Sequence, residues 1–192
     1  YFNVKDALKE GVNEIVIRVG SSRDAVPLSI PSGFDFEKEH YIPGIYDNVQ
    51  LILSGTPHIV RAQTVPDIFN KQVRVQIDVE NTGEVKTSKI TFTVKEAKSQ
   101  KIVGVSEKEI RLPGSGKDTT VYVTIPIKNC RFWSPEDPFL YSLGVETEAD
   151  EYTTRFGMRE FHFDPITKKG VLNGKPYFMR VSNITLYRFF ED

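Results

Sequence analysis

The sequence predicts an all-β protein whose centre is a sandwich of two antiparallel sheets. Three observations predict it. In "QVRVQIDVENTGE", Val73, Val75, Ile77 and Val79 alternate with Arg74, Gln76, Asp78 and Glu80, the period of a strand with one buried face. The same period returns at Ile90, Phe92 and Val94 and again at Val121, Val123, Ile125 and Ile127. Hydrophobic residues make up 39% of the chain and aromatic residues 11%, enough for a packed core and too much for wholesale disorder.

Taken in order, "VKDALKEG" predicts one helical turn stopped at Gly11, and "NEIVIRV" a strand from Glu14 to Val19. "GSSRDAVPLSIPSGFDFEKEHYIP" reads as a long surface loop, by its prolines, serines and acidic cluster. A second strand is expected from Asn48 to Leu53 in "GIYDNVQLIL". Further strands are predicted around Ile59 to Gln63, through the three alternating runs, around Ile102 to Ile110, and in "YSLGVETE" and "EYTTRFGMREF", joined at Ala149-Asp150. Asn81-Thr82-Gly83 supplies turn chemistry after the first clear run. That makes seven strands between Thr56 and Phe156, about 100 residues, the size of an immunoglobulin-like domain. The lone Trp133 and the single cysteine, Cys130, argue against an antibody-type member. Two strands and a loop ahead of Thr56 cannot bury both faces of a sheet, so that segment reads as the tail of another β domain. "KPYFMRVSNITLYRFFED" at the other end reads as the opening strand of something larger.

Charge and composition exclude several functions. The 25 basic and 26 acidic residues nearly balance, which makes nucleic acid a poor partner. His40, His58 and His162 are scattered without metal-ligand spacing, so neither a metal nor a cofactor is expected. No apolar run approaches the roughly 20 residues of a membrane span, and "YFNVKDALKEG" is not a signal peptide. "LPGSGKDTT" has a phosphate-loop flavour, but Arg111 stands where the first glycine belongs and Asp118 follows Lys117; it reads as a turn between strands. Asp35, Glu37 and Glu39 are read as solvated loop carboxylates rather than a cation or sugar site. Asn183-Ile184-Thr185 matches a glycosylation acceptor but sits in an apolar strand pattern. Cys130, beside Phe132 and Trp133, reads as a small core hydrophobe, and no histidine has a serine or cysteine partner the sequence can place near it.

"GVNEIVIRV", "PGIYDNVQLIL", "FWSPEDPFLYSLGVET", "RFGMREFHF" and "VLNGKPYFMRVSN" resemble, in order, signatures of the family 2 glycoside hydrolases, the group of β-galactosidases, β-glucuronidases and β-mannosidases. The resemblance implies that residues 1–54 are the C-terminal part of a jelly-roll sugar-binding domain. It makes residues 55–155 the immunoglobulin-like sandwich, and residues 156–192 a linker, a hairpin and the first strand of a truncated TIM barrel. Such a barrel takes about 250 residues, far more than follow Arg155. Members hydrolyse glycosidic bonds with retention, using two carboxylates about 5 Å apart, and the resemblance puts both on later barrel strands. No catalytic residue is therefore expected here.

At the end of the first barrel strand the family carries an Arg-Gly-x-Asn segment at the mouth of the substrate pocket. Arg180 and Asn183 match its ends, and are the substrate-binding candidates in a parent enzyme. Val181 stands where glycine is usual, and "ITLYRFFED" replaces the histidine-rich stretch, which departs from a standard galactosidase or glucuronidase pocket. The function expected is a non-catalytic region of a β-galactosidase-like enzyme whose partner is carbohydrate. The alternative is a free-standing carbohydrate-binding or adhesion module. A chain cut at its N-terminus would have carried any export signal ahead of Tyr1, so a periplasmic or secreted parent is as compatible as a cytoplasmic one. Unpaired edges seek partners. Self-association through the flanking strands is therefore expected, with Phe178, Leu186, Phe189 and Phe190 less exposed than in a free tail.

Overall fold

In the computed structural model, residues 2, 4–19, 27, 29, 45, 48–114 and 116–180 are described. They fall into two compact units, Tyr1–Leu51 with Val181–Asp192, and Ile52–Arg180.

Within the second unit seven strands build the sandwich: β1 (His58–Asp67), β2 (Gln72–Asn81), β3 (Lys86–Glu96), β4 (Ile102–Leu112), β5 (Lys117–Pro126), β6 (Tyr141–Glu146) and β7 (Glu151–Phe156). One sheet has the order β1-β2-β5 and the other β4-β3-β6-β7. All pairings are antiparallel. The seven strands stand where the alternation predicts them, and the fold is an all-β sandwich.

The alternation explains the core. On β2, Val73, Val75, Ile77 and Val79 are all buried, because every second side chain faces the opposite sheet. Ile90, Phe92 and Val94 of β3 and Tyr141, Leu143 and Val145 of β6 fill the other inner face. Each large side chain so buried contributes about 1.5–3 kcal/mol. Across the outer face of the first sheet, Asp78 lies opposite Arg61 on β1 and Thr120 on β5. Thr120 Oγ1 donates to Asp78 Oδ1 at 2.7 Å, and Arg61 Nε donates to Asp78 Oδ2. The row is a cross-strand pair extended over three strands. A bulge interrupts the β1–β2 register between Ile59 and Arg61.

After β7 the chain makes a small meander of β8 (Phe161–Phe163), β9 (Gly170–Leu172) and β10 (Lys175–Pro176), ordered β10-β9-β8. The strand signal in "KPYFMRVSN" is thus spent in part on the meander. Lys175 and Pro176 pair back onto Leu172 and Val171, and Tyr177–Arg180 carry no strand. Within the single chain Phe178 is 83% exposed, so its own sandwich does not cover it. Leu186, Phe189 and Phe190 lie outside the described residues.

In the first unit, a 3-10 turn forms at Lys5–Ala7, where one helical turn is predicted. Gly11 follows with a φ of +91°, a conformation that suits glycine. The expected strands Glu14 to Val19 and Asn48 to Leu53 are absent: both stretches are described, and neither carries strand structure. Ile15, Ile17 and Val19 are all exposed. A strand is defined by its ladder, and a strand-like sequence by itself is only a propensity. The acidic loop residues Asp35, Glu37 and Glu39 lie outside the described residues.

Candidate functional site: two latches at opposite ends of β6

Of the two sequence-predicted site residues, only Arg180 lies among the described residues. Arg180 is exposed at the end of the second unit, and Asn183 lies outside the described residues, as does the Asn183-Ile184-Thr185 acceptor. "LPGSGKDTT" is the β4–β5 turn, as its failed motif predicts. Cys130 is half-buried against the core, and burial pushes its thiol pKa up, the state of an inert packing residue. Among the described residues no group of three or more His, Cys, Asp or Glu side chains is placed to hold a metal ion.

What the structure does build is side-chain control of how the chain enters and leaves the sandwich. The entry latch gathers on the β6–β7 turn and the end of β2. The carboxamide of buried Asn81 donates to the carbonyls of Glu84 and Pro113 at 2.7 and 3.0 Å. Its oxygen accepts from Gly83 N and from Thr56 Oγ1 at 3.2 and 3.3 Å. A buried amide satisfied at both ends fixes its surroundings. Thr56 Oγ1 in turn accepts from Thr82 N at 3.1 Å.

Asp150 completes this latch. Its Oδ2 accepts from Ile59 N at 2.8 Å and lies 2.8 Å from His58 Nδ1. Gly55 N donates to Ala149 O at 3.1 Å, and a Cβ on Gly55 would stand 2.5 Å from that oxygen. Only glycine permits so close an approach. Lys86 Nζ reaches both Thr56 O and Glu148 Oε1 at 2.8 Å, while Ser88 Oγ donates to Glu148 Oε2 at 2.6 Å. Burial by itself would raise the Glu148 pKa; the bonds from Lys86 and Ser88 outweigh it and hold the carboxyl below its ordinary value.

The exit latch gathers at the other end of β6. Buried Tyr141 packs edge-on to Phe139 and stacked on Phe156. Its hydroxyl accepts from Arg131 N at 2.8 Å and donates to Arg131 O at 3.2 Å. Arg131 lies over the Phe139 ring at 4.1 Å and pairs with Asp137 at 2.9 Å. Ser134 Oγ accepts from Asp137 N at 3.1 Å. The "FWSPEDPFLY" stretch is therefore a self-bonded loop around one tyrosine. Trp133 sits at its edge: its N donates to Met158 O at 3.0 Å, and Arg159 lies 4.4 Å over its ring. A Cβ on Gly157 would stand 2.8 Å from the Trp133 Cβ. Finally the Asn173 carboxamide donates to Trp133 O at 2.9 Å and tethers the β9–β10 turn to this loop.

Among the described residues Glu146 and Glu151 stand opposite each other on β6 and β7, as Glu80 and Asp118 do on β2 and β5. With Leu53, Thr147, Ala149 and Asp150 the first pair lines a shallow open depression. Both its glutamates are exposed, and the water around them offers none of the dry, preorganised field that acid and nucleophile roles need. Chemically, the described side chains of the two latches position backbone. From the sequence Asn81 and Asp150 are read only as turn residues, and Asn173 only as part of "VLNGKPYFMRVSN". Asn173-Gly174 carries a visible hairpin signal, whereas the bond from Asp150 to Ile59 spans 91 residues and leaves no local trace.

Three comparisons bear on this fold. The family described as "Glycosyl hydrolases family 2" matches residues 57–159, the span of the sandwich and of the exit latch apart from Asn173. A "Putative beta-glucuronidase" of Formosa agariphila is 29% identical over 167 residues, covering 82% of this chain and 14% of that protein. Among solved structures, β-glucuronidase 2 of Bacteroides uniformis, bound covalently to cyclophellitol-6-carboxylate aziridine, is 25% identical with a TM-score of 0.50, over 62% of this chain and 15% of that one. The β-galacturonidase of Eisenbergiella tayi, bound to galacturonate, has a TM-score of 0.55 at 21% identity, over 64% of this chain and 21% of that one; at that identity the likeness speaks for the fold. This chain spans about a seventh of the length of the curated relative. With the family matched across more than half of its residues, the chain belongs to family 2 of the glycosyl hydrolases.

Proposed function

We propose that this chain is the non-catalytic sandwich region of a family 2 glycoside hydrolase and acts as a rigid spacer. One observation carries the reading: the matched span, residues 57–159, coincides with a packed sandwich that is latched by side chains on both sides of β6. In this reading residues 1–54 are the end of a sugar-binding domain and residues 156–192 the approach to a catalytic barrel. Arg180 and Asn183 face substrate only once that barrel is complete. The hydrolysis itself, through two carboxylates about 5 Å apart, belongs to the whole protein.

For that whole protein a β-glycoside of a uronic acid stands ahead of a galactoside as substrate. What supports it is the identity of the relatives at 25–29%, the protein of Formosa agariphila named a putative β-glucuronidase and β-glucuronidase 2 of Bacteroides uniformis. The test is direct. The purified chain, given nitrophenyl β-glucuronide and β-galactoside, is expected to release no nitrophenol. Turnover abolished by Glu146→Gln or Glu151→Gln would overturn the reading. Binding of the isolated chain to glycans would move it toward a carbohydrate-binding module.

A further inference from the structure

Asn173 and Gly174 form the two-residue turn between β9 and β10, closed by the Leu172–Lys175 pair. Both have positive φ, +51° and +77°, the signature of a type I′ hairpin. Asn-Gly is also the dipeptide most prone to spontaneous deamidation, since glycine offers no side chain to hinder its own nitrogen. In that reaction the Gly174 amide nitrogen bonds to Asn173 Cγ and loses its proton, while the side-chain amide leaves as ammonia. Water then opens the resulting succinimide at either carbonyl, giving aspartate or isoaspartate.

Here the fold holds the reacting atoms apart. The Asn173 carboxamide is tied at both ends: Nδ2 donates to Trp133 O at 2.9 Å, and Oδ1 accepts from Glu160 N at 3.0 Å. Asn173 N also donates to Glu160 O at 2.9 Å. To cyclise, the side chain must leave both partners and the backbone must leave the turn, for whose type the ideal ψ at the first central residue is about +30°. Attack on Cγ needs a more extended backbone. Trp133 is itself held by Met158 O, by Arg159 over its ring and by the close approach of Gly157, so its carbonyl does not yield easily.

We propose that Asn173 is a fold-gated deamidation site, and that its conversion irreversibly releases the β8–β10 meander from the sandwich. Aspartate at this position sets a carboxylate oxygen against Trp133 O, where a donor stood. Isoaspartate adds a backbone carbon and breaks the two-residue closure of Leu172 onto Lys175. Either product cuts the tie that directs the chain into Tyr177–Arg180. The site is silent while the latch is shut and reactive once it opens.

The experiment ages the full 192-residue chain at mildly alkaline pH, beside the same chain in denaturant, and follows Asn173 by peptide mapping and mass spectrometry. Conversion is expected to be at least about tenfold slower in the native chain, the factor that a local opening cost of about 1.4 kcal/mol gives. Equal rates would overturn the gating. Hydrogen exchange reads the consequence: Asn173→Asp should lose protection at Phe161–Phe163 and Gly170–Leu172 while β2, β3 and β6 keep theirs. Asn173→Gly separates turn from tether, because it keeps the positive φ and removes the carboxamide; it too should lose meander protection. Undiminished protection in both variants would overturn the release.

Discussion

Two stretches of this chain both read as strands and have opposite fates. "VRVQIDV" on β2 alternates apolar and polar side chains, and "EIVIRV" at Glu14 to Val19 is a β-branched run in which Val16 breaks the alternation. In β2 every inner residue is buried, and the strand is paired on both sides, to β1 and β5. In the other stretch Ile15 is 71% exposed and no strand forms. The difference lies in the neighbours. A period of two aims side chains at a face; the ladder and the opposing sheet decide whether that face exists.

The largest way to sharpen this contrast is a paired truncation. Ile77→Ala, in the centre of the core, should cost about 2–5 kcal/mol by lost transfer and cavity terms, read by chemical denaturation of the whole chain. Ile15→Ala should change stability by no more than about 0.5 kcal/mol. An Ile15 effect matching that of Ile77 would break the comparison and reveal a covered face there.

Next come the latches. Tyr141→Phe leaves Arg131 N and Arg131 O without their buried partner, and a loss of about 1–3 kcal/mol is expected. A neutral result would mean that water replaces the hydroxyl in that loop.

Acid gives a graded test. Thr120, opposed by burial and joined by Arg61, holds the Asp78 carboxyl below its ordinary value, and Glu148 is lowered by Lys86 and Ser88 against its burial. A depressed folded pKa contributes stability above the unfolded value, and that stability drains as pH falls through the folded one. The Tm should therefore hold from neutral pH to about 5 and fall below about 4. Asp78→Asn should flatten part of that acid slope; an unchanged slope would remove Asp78 from the account.

Smaller still is the exposed Lys89–Glu107 pair on β3 and β4, 2.8 Å apart with both side chains more than half exposed. Lys89→Ala should cost roughly 0–1 kcal/mol, less at high salt. Limited proteolysis offers a qualitative companion. Cleavage between Val12 and Val19 should precede any cut within β2, and the reverse order would contradict the contrast between the two stretches.

What the sequence determined by itself was the sandwich: seven strands between His58 and Phe156 follow from the alternation of side chains, because that alternation is a local property of each strand. The resemblance of "FWSPEDPFLY" and "LNGKPYF" to family 2 was legible too, and these stretches form the exit loop and the turn latched to it. Tertiary structure alone decided the rest. It placed β4 beside β3 and sent β5 back to β2, choices that alternation leaves open since either sheet could accept the strand. It joined Asp150 to His58 and Ile59, and Asn173 to Trp133, through side chains whose types read locally only as turn formers. It also left Glu14 to Val19 without a ladder. The physical reason is the same in each case: a sequence encodes which face a residue presents, but a hydrogen bond needs a partner, and partners far along the chain are found only when the chain has folded.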